Sequence, residues 1–202
     1  MSKPRNPSTP RTPEREAKIR RVLGFRQHDL ALVMANIHDP HNVSAIYRSC
    51  DAFGVPVVHQ YYTRTAFPHL GEKSSASARK WVESVRHVTP EDLMAALREK
   101  QMKVYATSCS PAARPVGEYD LTEPVAILMG NEHSGVDPEL LPLVDGEMYI
   151  PMYGMIQSFN VSVAAALILG EASRQRALAG KYDAPTCSGD ALEARVRAWL
   201  QK

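Results

Sequence analysis

The chain has 202 residues, 44% of them hydrophobic, and a formal net charge of only +2, which is enough for one domain with a full core. The N-terminal stretch MSKPRNPSTPRTPEREAKIRR contains no apolar run of signal-peptide or anchor length, so a cytoplasmic protein is expected and a membrane protein is not. Cys50, Cys109 and Cys187 are odd in number and far apart, which excludes a disulfide framework and a thiolate metal site.

The small net charge hides an asymmetry. Residues 1 to 26 carry a net +6, leaving −4 for the rest. Clustered Lys and Arg on a mildly acidic body suit a polyanionic partner, because they release counterions from a phosphate backbone. A solubilising tail is the simpler alternative. Pro4, Pro7, Pro10 and Pro13 recur every third residue without large apolar neighbours, so residues 1–13 are expected to be a disordered basic arm. Residues 14–28 then read as a basic helix, with Ile19, Val22 and Leu23 on one side and Arg15, Lys18 and Arg21 spread over the remainder.

Apolar runs and amphipathic segments alternate from there on. Strands are expected near 30–37, 55–60, 84–88, 102–107, 124–129 and 147–151. Helices are expected at 43–53, 90–100, 137–144 and 160–179, the second with Thr89 as N-cap and Pro90 in its first position. This alternation predicts an α/β fold, a mainly parallel sheet covered by helices. Residues 61–80 show no period and read as a long loop. A link after Gly180 leads to a last helix near 190–201.

Ligands of open parallel sheets gather where strands end and helices begin, and three such junctions are rich in polar residues. In HDPHNVSAIYR, Asn42 is the expected N-cap, and Ser44 and Arg48 share a helix face. Arg48 is either functional or paired with a carboxylate such as Asp51 or Glu132. In AILMGNEHSGVDPELL, Gly130 and Gly135 have phosphate-loop spacing, but no Gly-Lys-Ser/Thr follows, so a Walker-type site is excluded. Glycine there permits a ligand to approach the backbone, and Asp137 with Pro138 reads as a helix start. In IPMYGMIQSFNVSVAAALILGEASRQR, Ser158 or Asn160 can cap a helix that is apolar nearly all round. The two Asn-Val-Ser triplets, at 42–44 and 160–162, fit a glycosylation sequon, which is silent in a cytoplasmic protein. His38 and His41 do not suit a helical zinc pair and lack a clear third ligand, so no metal is expected.

The motifs HNVSAIYRSCDAFGV, LMGNEHSGV and IPMYGMIQSFNVSVAAALILGEASRQR closely resemble, in this order, the three signature motifs of the SpoU/TrmH branch of the SPOUT RNA methyltransferases. The resemblance covers roughly residues 14–200. The basic N-terminal helix, the EASRQRALAGKYD segment and the terminal helix look most like the TrmH group, tRNA guanosine 2'-O-methyltransferases that act at position 18 of the D-loop. The resemblance implies a trefoil-knotted methyltransferase domain at 29–180, a C-terminal linker and helix at 181–202, and a homodimer. It also implies transfer of a methyl group from S-adenosylmethionine to a ribose 2'-hydroxyl, with tRNA as partner.

By position in the motifs, Arg48 matches the catalytic arginine, and Asn42, Glu132, Ser158 and Asn160 match active-site polar residues. Thr107, Gly130, Ile150, Ser158 and Phe159 fall where the family lines its donor pocket, Phe159 replacing the usual Leu. His41 matches a residue tied to RNA handling, and Arg15, Lys18 and Arg26 are the expected RNA contacts of the basic helix; Asp39 stands where Lys is frequent. A guanidinium stays protonated, so Arg48 is expected to stabilise a developing alkoxide or a neighbouring phosphate rather than act as a base. A ribosomal RNA substrate and a non-catalytic RNA-binding module are the competing readings.

Overall fold

The first strand, β1 (Leu30–Ala35), is buried along its whole length because both of its faces meet a core. Leu30, Leu32 and Met34 belong to one apolar cluster, and Ala31, Val33 and Ala35 to the other. That two-sided burial is what a continuous apolar run means at the centre of a parallel sheet. The computed structural model describes residues 12–70 and 79–201; most of the expected arm at 1–13 lies outside them.

Two compact units divide the chain, one spanning Gln27–Ala184 and the other the described parts of Met1–Arg26 and Pro185–Lys202. In the larger unit, β1 is followed by α2 (Pro40–Ala52), β2 (Val57–Tyr61), β3 (Glu83–His87), α3 (Pro90–Glu99), β4 (Lys103–Thr107), the two-residue β5 (Arg114–Pro115), β6 (Val125–Met129), β7 (Gly146–Tyr149) and α4 (Val161–Leu178). These strands form one seven-stranded sheet in the order β3-β2-β1-β6-β4-β7-β5, every pairing parallel. Parallel neighbours need crossover connections; α2 supplies the one between β1 and β2, while α3 carries the chain from β3 at the sheet edge across to β4. Residues of α2 and α4 join the core on one face, and Leu93 and Leu97 of α3 join the core on the other.

Opposite the strand ends that carry the polar junctions, Arg176 of α4 is fully buried. Its guanidinium donates to the carbonyls of Leu121, Asp29 and Glu123 at 2.9, 3.2 and 3.0 Å, to Gln27 Oε1 at 3.0 Å and to Asp29 Oδ1 at 2.5 Å. A buried charge is tolerated only with such complete pairing. Burial alone would raise the Asp29 pKa, but Arg176 and Lys181 outweigh it and hold the carboxyl below its ordinary value.

The smaller unit is a helix pair, α1 (Pro13–Gly24) and α5 (Gly189–Leu200). Ile19, Leu23 and Val196 form its core, with Leu192, Trp199 and Leu200 packed around them. Thr12 caps α1 and Arg20 bridges to Glu16 and Glu193. Arg26, expected to meet RNA, is buried at 1% exposure with its guanidinium 5.4 Å from the centre of the Trp199 ring. Its cation–π contact removes it from the basic surface that Lys18 and Arg21 still share with solvent.

Three local expectations are corrected. Residues 137–144 form a turn and a short 3-10 segment, Leu141–Leu143, because the Asp137 carboxylate is drawn to other partners and cannot cap a helix. Asp39, not Asn42, caps α2, its side chain accepting the His41 amide at 2.8 Å with Pro40 in the first helical position. Capping thus explains Asp39 in this chain. The strand β5 had no period to betray it, being two residues long.

Candidate active site

The carboxyl ends of β6, β4 and β7 open toward one cavity of about 570 Å³, within the usual range for a small-molecule site. Each wall has a local cause. Gly130, at the end of β6, is required by the loop that follows: a Cβ there would lie 2.2 Å from the Gly135 carbonyl carbon and 2.3 Å from the Val136 nitrogen. The loop folds back through paired backbone bonds between Asn131 and Gly135 at 2.8 and 3.0 Å, with Gly135 at φ +71. Gly130 thus lines the cavity, and its missing side chain also leaves room for the chain's own backbone. The opposite wall is the Ser158–Val161 entry to α4, where Asn160 caps the helix by accepting the Ser162 amide at 2.8 Å.

Thr107, Gly130, Ile150, Ser158 and Phe159 all line this cavity. Apolar Met129, Met148 and Ile168 complete much of its surface. The Thr107 hydroxyl donates to the Leu128 carbonyl at 3.3 Å, which fixes its oxygen at the cavity edge as an acceptor.

Glu132 and Asn160 belong to the same cavity and are joined through Asn42. Asn42 Nδ2 donates to Glu132 Oε1 at 2.9 Å, and Asn160 Nδ2 donates to Asn42 Oδ1 at 3.0 Å. Asn42 sits in the first turn of α2, buried, so this chain of side chains locks together all three polar junctions. The other oxygen of Glu132 lies 3.1 Å from His38 Nδ1. Burial would push the Glu132 pKa upward, but hydrogen bonds from Asn42 and from backbone amides more than compensate and hold it below the ordinary carboxylate value. Glu132 is therefore an anion at neutral pH.

Arg48 is one turn beyond the buried Ser44, exposed, and makes no hydrogen bond or ion pair among the described residues. Pairing with Asp51 or Glu132, the stability-only alternative for this residue, is absent there, and Arg48 does not line the cavity. His41 is exposed at the start of α2, and Lys18 is exposed on α1, with Arg15 partly so. Sequence reasoning weighed His38 only as a metal ligand and missed His133; the two rings lie 5.5 Å apart beside Glu132, a pairing across loops that no sequence spacing signals. Among the described residues no helix is long and apolar enough to cross a membrane.

The SpoU rRNA Methylase family matches residues 29–170. A tRNA (guanosine(18)-2'-O)-methyltransferase of Thermus thermophilus is 44% identical over 192 residues, covering 95% of this chain and 98% of that protein. The crystal structure of the Aquifex aeolicus TrmH/SpoU tRNA modifying enzyme gives a TM-score of 0.85 at 35% identity, covering 92% of this chain and 94% of that one. The SpoU methyltransferase AviRb of Streptomyces viridochromogenes, solved in complex with the cofactor AdoMet, gives 0.63 at 26% identity, covering 75% of this chain and 59% of that one. With a family match over most of its length and a relative matched nearly end to end, the chain belongs to the SpoU rRNA methylase family.

Proposed function

We propose that the chain is a cytoplasmic homodimer that transfers a methyl group from S-adenosylmethionine to the ribose 2'-hydroxyl of guanosine 18 in tRNA. One observation carries this reading: Thr107, Gly130, Ile150, Ser158 and Phe159, drawn from four separate stretches of chain, line one cavity beside the Asn42–Glu132–Asn160 chain. The names of the Thermus and Aquifex relatives support tRNA as substrate, and the AdoMet complex of AviRb supports the donor. The trefoil-knotted chain path is part of the same reading, supported by the likeness to the Aquifex enzyme.

The residues present fit the donor. An apolar wall of Met129, Met148 and Ile168 suits a flat purine, and the hydroxyls and backbone of Thr107 and Ser158 offer polar anchors. When bound, the donor supplies a methyl group already activated by a positively charged sulfur. What remains for the protein is alignment and handling of a proton from a weakly acidic hydroxyl. Ionised Glu132 fixes the Asn42 amide, and Asn42 in turn fixes Asn160, so both amides are preorganised dipoles. Ser158 offers a further hydroxyl to the ribose or the donor. Arg48, always protonated, stabilises the developing alkoxide or the adjoining phosphate. His41, Arg15 and Lys18 contact the RNA backbone.

Replacing Arg48 with Ala should lower kcat at least a thousandfold while titration calorimetry shows unchanged S-adenosylmethionine affinity. Retained turnover would remove Arg48 from this role. A tRNA transcript already methylated at guanosine 18 should accept no label from the donor, and continued labelling would overturn the nucleotide assignment.

A further inference from the structure

Asn36, just past β1, is 3% exposed and holds a φ of +53, a backbone angle unusual for any residue with a side chain. Its bonds account for the angle. Asn36 Oδ1 accepts the amides of three consecutive residues, Thr63, Arg64 and Thr65, at 3.0, 3.1 and 3.3 Å. Asn36 Nδ2 donates to Asp137 Oδ2 at 2.7 Å, and the Asn36 carbonyl accepts from Asn131 Nδ2 at 2.7 Å. A single residue thereby ties the segments that follow β1, β2 and β6.

The remaining oxygen of that buried carboxylate, Asp137 Oδ1, accepts Arg64 Nε at 3.0 Å. The Arg64 side chain is 53% exposed. Its two terminal amino groups make no hydrogen bond among the described residues, so Asp137 grips the inner edge of the guanidinium and leaves the outer edge to solvent. As a stability device this returns little: burying a carboxylate is costly, and a half-exposed partner is worth at most about 1 kcal/mol. As a recognition device it is well made. A planar fork held from behind, with its chain entropy already surrendered, matches the oxygens of a phosphodiester. Asp137 lies two residues beyond Gly135 of the cavity wall, so the fork is anchored to the stretch of chain that leaves that wall.

We propose that Arg64 is a phosphodiester contact for the RNA substrate, with Asn36 and Asp137 as the residues that position it. This rests on the methyltransferase reading and adds to it a contact outside the signature motifs. The experiment is steady-state methylation of a tRNA transcript between 50 and 200 mM KCl by the wild type, Arg64→Gln and Arg64→Lys. Arg64→Gln, which keeps a donor for Asp137, should raise KM for tRNA about tenfold with kcat and donor affinity within twofold. The slope of log KM against log salt should fall by about one phosphate contact. Arg64→Lys should restore the salt slope but only part of the KM, because a point charge lacks the fork. Wild-type KM and slope in both variants would reduce Arg64 to a partner of Asp137 and overturn the proposal. Should the wild type transfer no methyl group to tRNA, the enzyme reading fails, and filter retention of the same RNA over the same salt range still decides on Arg64: an unchanged slope removes it. If Arg64→Gln loses donor binding through misfolding, Arg64→Lys decides, and an unchanged KM there overturns the proposal.

Discussion

A row of three side chains on the α3 side of the sheet shows how far burial can move a single residue. His59 and His87 are each 2% exposed, with His59 Nδ1 2.8 Å from His87 Nε2 and His87 Nδ1 2.9 Å from Asp92 Oδ2. Burial first, then the neighbouring His87 and Lys100, lower the His59 pKa to about 4. An unfolded histidine titrates near 6.5, so between these values the unfolded chain takes up a proton that the folded chain refuses. Stability is therefore full above about pH 6.5 and falls as the pH drops toward 4, by roughly 2 to 3 kcal/mol for this group. Urea unfolding at pH 7.5 and 4.5 should show a loss larger by that amount in the wild type than in His59→Gln. Equal losses in the two proteins would mean that His59 is protonated in the fold without strain.

At the scale of elements, the sheet was legible because central strands must be apolar on both faces, and LALVMA and VAILM are. The caps Thr89 and Asn160 were legible too, since their side chains accept local amides from Asp92 and Ser162 as the sequence implies. What failed were cases in which a polar side chain was claimed by a distant partner instead of a local one. Asp137 resembles a helix start but serves Asn36 and Arg64; Asn42 resembles a cap but serves Glu132 and Asn160; Arg26 belongs to a basic run but stacks on Trp199. Propensity is local and these bonds are not. The site residues in the cavity could be named because three motifs agreed, whereas the Asn36 hub follows from no motif and needed coordinates. Gly130 is the sharpest test of the loop that closes this cavity. Gly130→Ala would place a methyl group against the backbone of Gly135 and Val136, which cannot yield as a side chain would. The loop must reopen, and S-adenosylmethionine affinity should fall at least tenfold in calorimetry while far-ultraviolet circular dichroism stays unchanged. Undiminished affinity would mean that the loop's closed form is unnecessary for donor binding.

For the molecule as a whole, several large apolar side chains stand exposed close in sequence to the cavity-lining Asn160. Tyr153 and Met155 are 99% and 100% exposed, Ile156 is 59% exposed, and Val163 and Leu167 on α4 are 45% exposed each. These residues flank Asn160 in sequence on both sides, so the bare patch adjoins the rim of the cavity. Exposed apolar side chains grouped in this way suit an interface, and in the proposed homodimer a second copy of the chain would cover them. Arg48, proposed above as catalytic, fits the same picture, being exposed and without a side-chain partner among the described residues of one chain. A charge set in the middle of this face is then the decisive perturbation. Leu167→Glu, half exposed in one chain, should fold normally as a monomer but resist burial against a second copy, because an unpaired carboxylate at an interface costs several kcal/mol. Sedimentation equilibrium should move from about twice the 22.4 kDa chain mass toward the chain mass itself, and methyl transfer should fall in step with the dimer fraction. A Leu167→Glu protein that sediments and turns over like the wild type would exclude α4 from the proposed dimer contact.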